Sequence, residues 1–147
     1  MAKRSRKPAT IEFVLDGSVA LAWYFKDEAD PYADSVAASL TTARAAVPLI
    51  WRLEVVNALL MGERRQRSTE AQAGKWLAYL RSLPIAVDDE TDDRAWSDVL
   101  GLARAHRISA YDAAYLELAL RRRLPLATLD EQLKAAAARL GVPAFAS

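Results

Sequence analysis

At 147 residues the chain has the length of one ordinary domain, and with 52% hydrophobic residues it can close a core, which excludes a disordered polymer. Lys and Arg number 20 against 19 acids, but Lys3, Arg4, Arg6 and Lys7 crowd the first ten residues and leave 16 basic against 19 acidic side chains beyond them. A uniformly basic nucleic-acid binder is therefore excluded, and the lack of cysteine excludes disulfides, thiolate metal sites and cysteine nucleophiles.

Residues 1–10 read as a solvated basic tail and residues 11–147 as a single domain, with no linker or repeat dividing them. Residues 11–15 are a short, largely apolar run that ends at Asp16-Gly17, the pattern of a buried strand entering a turn. Ser18 then caps a helix over 19–25. Asp16 interrupts the apolar stretch where the core of a secretory leader carries no charge, and no segment reaches the ~18 apolar residues of a membrane span. A cytoplasmic protein without membrane attachment is expected.

A helix over 32–43 follows, then a strand over 45–47 before Pro48. Leu53, Val56 and Leu60 recur at helical spacing in a helix over 51–65, and Ser68-Thr69-Glu70 opens another that runs to about residue 83. Residues 84–87 form a third strand and 91–106 a helix. A helix over 110–122 leads to a strand over 124–129, interrupted near its start by Pro125. The last helix covers 130–140 and stops at Gly141, and 142–145 add an edge strand. Short strands alternating with helices imply a three-layer α/β/α domain with a short, mostly parallel central sheet.

Four carboxylates stand where carboxylates are costly. Asp16 ends the first strand, and Asp130 ends the run Leu126-Ala127-Thr128-Leu129. Glu54 lies among Trp51, Leu53, Val55 and Val56, and Asp112 shares a helical face with Leu116, Ala119 and Leu120. Each has a structural explanation, as a helix cap, a turn residue or a favourable charge at a helix N-terminus. Together they point elsewhere. In an open parallel sheet the strand ends and the N-termini of the following helices share one edge, the edge that holds ligands.

Two carboxylates about 4 Å apart repel by roughly 4 kcal/mol at an effective dielectric of about 20, a penalty that a hard cation removes. An all-oxygen set without His or Cys selects Mg²⁺ or Mn²⁺, the metals of phosphate chemistry. The one histidine, His106, lies elsewhere in the chain. Trp23, Trp51, Trp76 and Trp96 sit among apolar neighbours and are expected in the core or a dimer interface.

In these stretches the chain resembles PIN-domain nucleases, and specifically VapC-type toxins of toxin–antitoxin pairs. The matching segments are Val14-Leu15-Asp16-Gly17-Ser18, then Pro48-Leu49-Ile50-Trp51-Arg52-Leu53-Glu54-Val55-Val56-Asn57-Ala58-Leu59. Next come Ser109-Ala110-Tyr111-Asp112-Ala113-Ala114-Tyr115-Leu116-Glu117-Leu118-Ala119 and Leu126-Ala127-Thr128-Leu129-Asp130. The resemblance implies a Mg²⁺- or Mn²⁺-dependent endoribonuclease whose metal is held by Asp16, Glu54, Asp112 and Asp130, with Ser18, Asn57 and Thr128 orienting carboxylates and water.

It also implies a homodimer, RNA ends carrying 5′-phosphate and 3′-hydroxyl, and inhibition by a VapB-type antitoxin. The antitoxin's basic residue would meet the acids while its apolar part meets Trp23, Tyr24 and Leu59. RNA affinity is expected from Arg64, Arg65, Arg67, Arg104, Arg107 and Arg121 to Arg123. Two other readings stay open. One is a catalytically silent PIN-like binding module. The other is an aspartyl-phosphate phosphatase with Asp16 as nucleophile, although Ser18 stands where that chemistry usually wants a second acid.

Overall fold

The computed structural model describes residues 10–146; apart from Thr10, the basic tail expected over 1–10 lies outside the described residues. The elements run β1 (Ile11–Leu15), α1 (Gly17–Tyr24), a 3₁₀ turn (Lys26–Glu28), α2 (Pro31–Ser39), β2 (Arg44–Val47), α3 (Ile50–Arg64), α4 (Glu70–Ser82) and β3 (Ile85–Val87). Then come α5 (Thr91–Arg94), a π-helical turn (Ala95–Val99), α6 (Leu100–His106), α7 (Ala110–Arg122), β4 (Leu126–Ala127) and α8 (Glu131–Arg139).

The four strands form one sheet in the order β3-β2-β1-β4, and every described pairing is parallel. Val14 stands between Ala46 of β2 and Leu126 of β4, which makes β1 a central strand. Successive strand residues point to opposite faces. Phe13, Val14 and Leu15 are all fully buried, as are Ala45, Ala46 and Val47, so both faces of the sheet are covered and the α/β layering holds. α7 lies against β1 and β4, while α1 packs on α2 and α3.

Several boundaries differ from expectation for local reasons. Asp30 accepts the Tyr32 and Ala33 amides and Pro31 takes the first helical position, so α2 starts one residue early. It stops at Ser39, and Leu40 to Thr42 form a turn in which the Ser39 and Thr41 hydroxyls donate to carbonyls three residues back. β4 shrinks to two residues. Pro125 has no amide hydrogen to donate, and beyond Ala127 the Thr128 side chain and the Asp130 amide turn the chain toward α8. The edge strand expected over 142–145 reduces to one parallel bridge between Leu126 and Ala144.

The long helix expected over 91–106 is interrupted by its π-helical turn. The extra residue in that turn shifts the apolar phase, so Val99 packs on Ala113 and Ala114 while Trp96 faces outward at 94% exposure. Trp51 and Trp76 are core residues and the Trp23 ring N–H donates to the Ala33 carbonyl, so only Trp96 departs from the core expectation.

α3 carries the largest surprise. Its core side is Trp51, Val55, Leu59 and Gly62, whereas Leu53, Val56 and Leu60, which carry the helical spacing in the sequence, are exposed together with Leu49. A Cβ added at Gly62 would lie 2.8 Å from two ring carbons of Phe25, so glycine is what lets α3 approach the end of α1. No helix of the described residues is long and apolar enough to cross a membrane.

Candidate active site

Because the strands are parallel, Asp16 after β1 and Thr128 after β4 emerge at the same sheet edge, and the registers Val14–Leu126 and Leu15–Ala127 set them side by side. The Thr128 hydroxyl donates to Asp16 Oδ2 at 2.7 Å, and the Ser18 hydroxyl donates to the same oxygen at 2.6 Å. Asp16 occupies the N-cap position of α1, which begins at Gly17 rather than being capped by Ser18, and its side chain makes no capping bond. Ser18 instead ties α1 to the other strand end, accepting the Leu129 amide at 3.0 Å. Thr128 likewise accepts the Asp130 amide at 3.0 Å. Both hydroxyls thus orient the carboxylate, as the resemblance implies.

Glu54 sits near the N-terminus of α3, half-buried, and Asp112 in the first turn of α7, which Ser109 caps by accepting the Asp112 amide. Glu54 receives a hydrogen bond absent from the sequence reading: the Tyr115 hydroxyl donates to its Oε1 at 2.8 Å. Tyr115 is fully buried, one helical turn beyond Asp112. A buried aromatic with a polar tip requires a partner, and that is the signal by which sequence reasoning could have included it. Asp130 is exposed, and its Oδ1 accepts the Leu133 amide, so one oxygen caps α8. Asn57 is exposed beside Glu54 and makes no described hydrogen bond.

The acids feel one another. Burial raises the Asp16 carboxyl above its ordinary value, and the Asp130 charge raises it further, against the hydroxyls of Ser18 and Thr128, which lower it. Burial also raises Glu54, with help from Asp16 and Asp112 and opposition from the Tyr115 hydrogen bond. Asp112 is raised by burial and then by Asp130 and Asp16. Burial, followed by the charges of Asp16 and Glu54, pushes the Tyr115 hydroxyl far up, so it remains a proton donor. None of the four acids joins a described ion pair.

This donor set suits a hard divalent cation: all oxygen, anionic and, among the described residues, without an ion-pair partner. Among the described residues, however, no three acidic or histidine side chains stand close enough to form a ready cage for an ion. Neighbouring acids add to burial in raising Asp16, Glu54 and Asp112.

Asp88 also ends a strand, yet it belongs to a different arrangement. Arg121 donates to it at 2.6 Å and to the buried Glu117 at 2.7 Å, and Arg94 stands 3.5 Å from Glu117. Burial alone would raise Asp88, but the Arg121 hydrogen bonds and charge outweigh it and hold the carboxyl low. Arg121 is therefore a structural cation. Arg67 is also engaged: it pairs with Asp27 at 2.9 Å and lies 4.2 Å over the Phe25 ring. Of the arginines expected at RNA, Arg64, Arg65, Arg104, Arg107 and Arg123 join no described ion pair, whereas Arg122 lies 4.0 Å from Asp88.

A groove of about 450 Å³ opens beside Ser18 and Glu54, lined by Leu21, Ile50, Leu53, Asn57 and Tyr111. Trp23, Tyr24 and Leu59, expected to meet an antitoxin, do not line this groove. Leu59 is buried in the core, and the other two line a separate hollow with Trp76.

A parallel sheet in the order β3-β2-β1-β4, covered by helices on both faces, defines a three-layer α/β domain. The PIN domain model matches residues 13–139, and the chain belongs to the PIN-domain family, whose fold is generally a nuclease fold usually served by divalent metals. The crystal structure of PAE2754 from Pyrobaculum aerophilum is similar in fold, with a TM-score of 0.64 and 24% identity over 86% of this chain and 84% of that one. No protein among the curated sequences compared matches the chain.

Proposed function

We propose that this protein is a Mg²⁺- or Mn²⁺-dependent endoribonuclease, the toxin of a type II toxin–antitoxin pair, acting in the cytoplasm as a homodimer. The observation that carries the reading is the set Asp16, Glu54, Asp112 and Asp130: four acids at a strand end and near helix N-termini, none of which joins an ion pair among the described residues. A divalent ion held by these acids would supply positive charge to the phosphodiester and make a nearby water more acidic.

The protein's own groups do the rest. Ser18 and Thr128 fix one oxygen of Asp16. One of Asp112 and Asp130 serves as the base. It takes a proton from the water that attacks phosphorus. The P–O3′ bond breaks and the leaving 3′ oxygen takes a proton from solvent water, which leaves 5′-phosphate and 3′-hydroxyl ends. The exposed Leu49, just before α3, and Val56 and Leu60 on it support association of copies.

The antitoxin is proposed to place an Arg at the acids and apolar residues in the groove of Leu21, Leu53 and Tyr111. An aspartyl-phosphate mechanism is less well supported, because Ser18, where a second acid would stand, hydrogen-bonds Asp16 instead. The test is cleavage of total RNA by the purified protein with Mn²⁺ and with a chelator, followed by sequencing of the new 5′-phosphate ends. Cleavage that needs the metal and clusters at defined sites supports the reading. An inert protein that still binds RNA makes it a silent PIN-like module.

A further inference from the structure

We propose that Tyr115 is a positioning residue for the metal site, fixing the Glu54 carboxylate through its hydroxyl so that Oε2 faces the other acids; this rests on the reading of Glu54 as a metal-holding acid. Glu54 is a long side chain on α3, half-buried, and its only described hydrogen bond is the 2.8 Å contact from Tyr115. Tyr115 is fully buried on α7. α7 also carries Asp112, one turn earlier. The hydroxyl therefore links the orientation of Glu54 to the helix that presents a second acid.

Asp16 is treated in a parallel way. Its Oδ2 is tied by two hydroxyls, one from α1 and one from the end of β4. In each case a hydroxyl donor occupies one carboxylate oxygen and fixes the plane of the group. Four like charges have every reason to rotate apart, and a neutral donor restrains them without adding a counter-ion that would compete with a metal. A lysine or arginine in the place of Tyr115 would neutralise the site; a phenol orients and leaves the charge in place.

The experiment is a double-mutant cycle read by Mn²⁺ affinity, using the paramagnetic resonance signal of free Mn²⁺ with the wild-type chain, Tyr115→Phe, Glu54→Gln and the double variant. Tyr115→Phe keeps the ring and removes only the hydroxyl. It should weaken Mn²⁺ binding by about 10-fold or more, with the metal-free melting temperature within a few degrees of wild type. In the Glu54→Gln background the same substitution should have no further effect, because the group it orients is no longer a carboxylate. Equal losses in both backgrounds, or a Tyr115→Phe chain that is unfolded without metal, would show a general structural role and overturn the proposal. A wild-type chain that binds no Mn²⁺ overturns the metal-site reading itself and this inference with it, whereas normal wild-type binding with additive losses removes Tyr115 alone.

Discussion

Asp16 is held by two hydroxyls on one oxygen and is nearly inaccessible, at 7% exposure, yet it joins no ion pair among the described residues. A residue retained for the fold alone would be better neutral. Asp16→Asn keeps the shape, and the amide oxygen can accept from Ser18 and Thr128 as the carboxylate does. RNA cleavage should fall by about 100-fold or more, as for loss of a metal-orienting group, while the melting temperature stays level or rises. Parallel assays of cleavage and thermal unfolding check this, and an unfolded Asp16→Asn chain would return Asp16 to a structural role.

At this scale the sequence singles out Asp16 and Asp130, because a carboxylate at the end of an apolar strand is costly and therefore visible, whereas Ser18 and Thr128 come from the family resemblance. It marks function poorly where a polar group has a packing side. Tyr115 sits inside the buried run Ala113 to Ala119 and reads as core. Asp88 meets the same strand-end criterion as Asp16 and is absorbed by Arg121, a partner 33 residues away that no local pattern connects.

Among the elements, α3 shows how an apolar period finds a helix without saying which side is inside. Leu53, Val56 and Leu60 are spaced for a buried stripe and face outward, because Gly62 and the residues at Trp51, Val55 and Leu59 take the core. The cause is a close approach. Phe25 packs where a Cβ at position 62 would be, and Ser68 Oγ stands 3.1 Å from the same point. Gly62→Ala should therefore destabilise the protein by about 1–3 kcal/mol through overpacking, despite the better helix propensity of alanine. Denaturant unfolding measures it, and Phe25→Leu in the Gly62→Ala background should recover part of the loss. A stabilised Gly62→Ala chain would mean that the Phe25 ring yields freely.

The strands were legible in position but not in length. Ladder partners decide where a strand ends, and β4 loses its ends to Pro125 and to the turn at Thr128. The π-helical turn at Ala95–Val99 left no trace in composition, and with it the outward placement of Trp96 was invisible.

For the whole molecule, two groups of acids oppose each other in their effect on stability. Asp16, Glu54 and Asp112 have raised carboxyls. The folded chain therefore binds protons there more readily than the unfolded chain does. Their contribution is fully favourable below the ordinary carboxylate range and is lost as pH rises through the raised values. Asp88 is lowered, so its contribution is present above the ordinary value and is lost as pH falls through the depressed one. Without metal, the melting temperature should rise as pH falls from neutral toward the carboxylate range, and drop once Asp88 protonates and its bond to Arg121 weakens.

A divalent cation reverses the first limb. It binds the ionised acids of the folded chain, and at a hundred times its dissociation constant it adds about 2.7 kcal/mol, roughly 5–10 °C for a domain of this size. Because protons compete for the same oxygens, the gain should be largest at neutral pH and vanish as the acids protonate. Thermal unfolding across this pH range, with chelator and with millimolar Mn²⁺, gives two curves that diverge upward in pH if the four carboxylates act as one site. Curves that coincide at neutral pH would mean that the acids meet at the sheet edge without holding a metal.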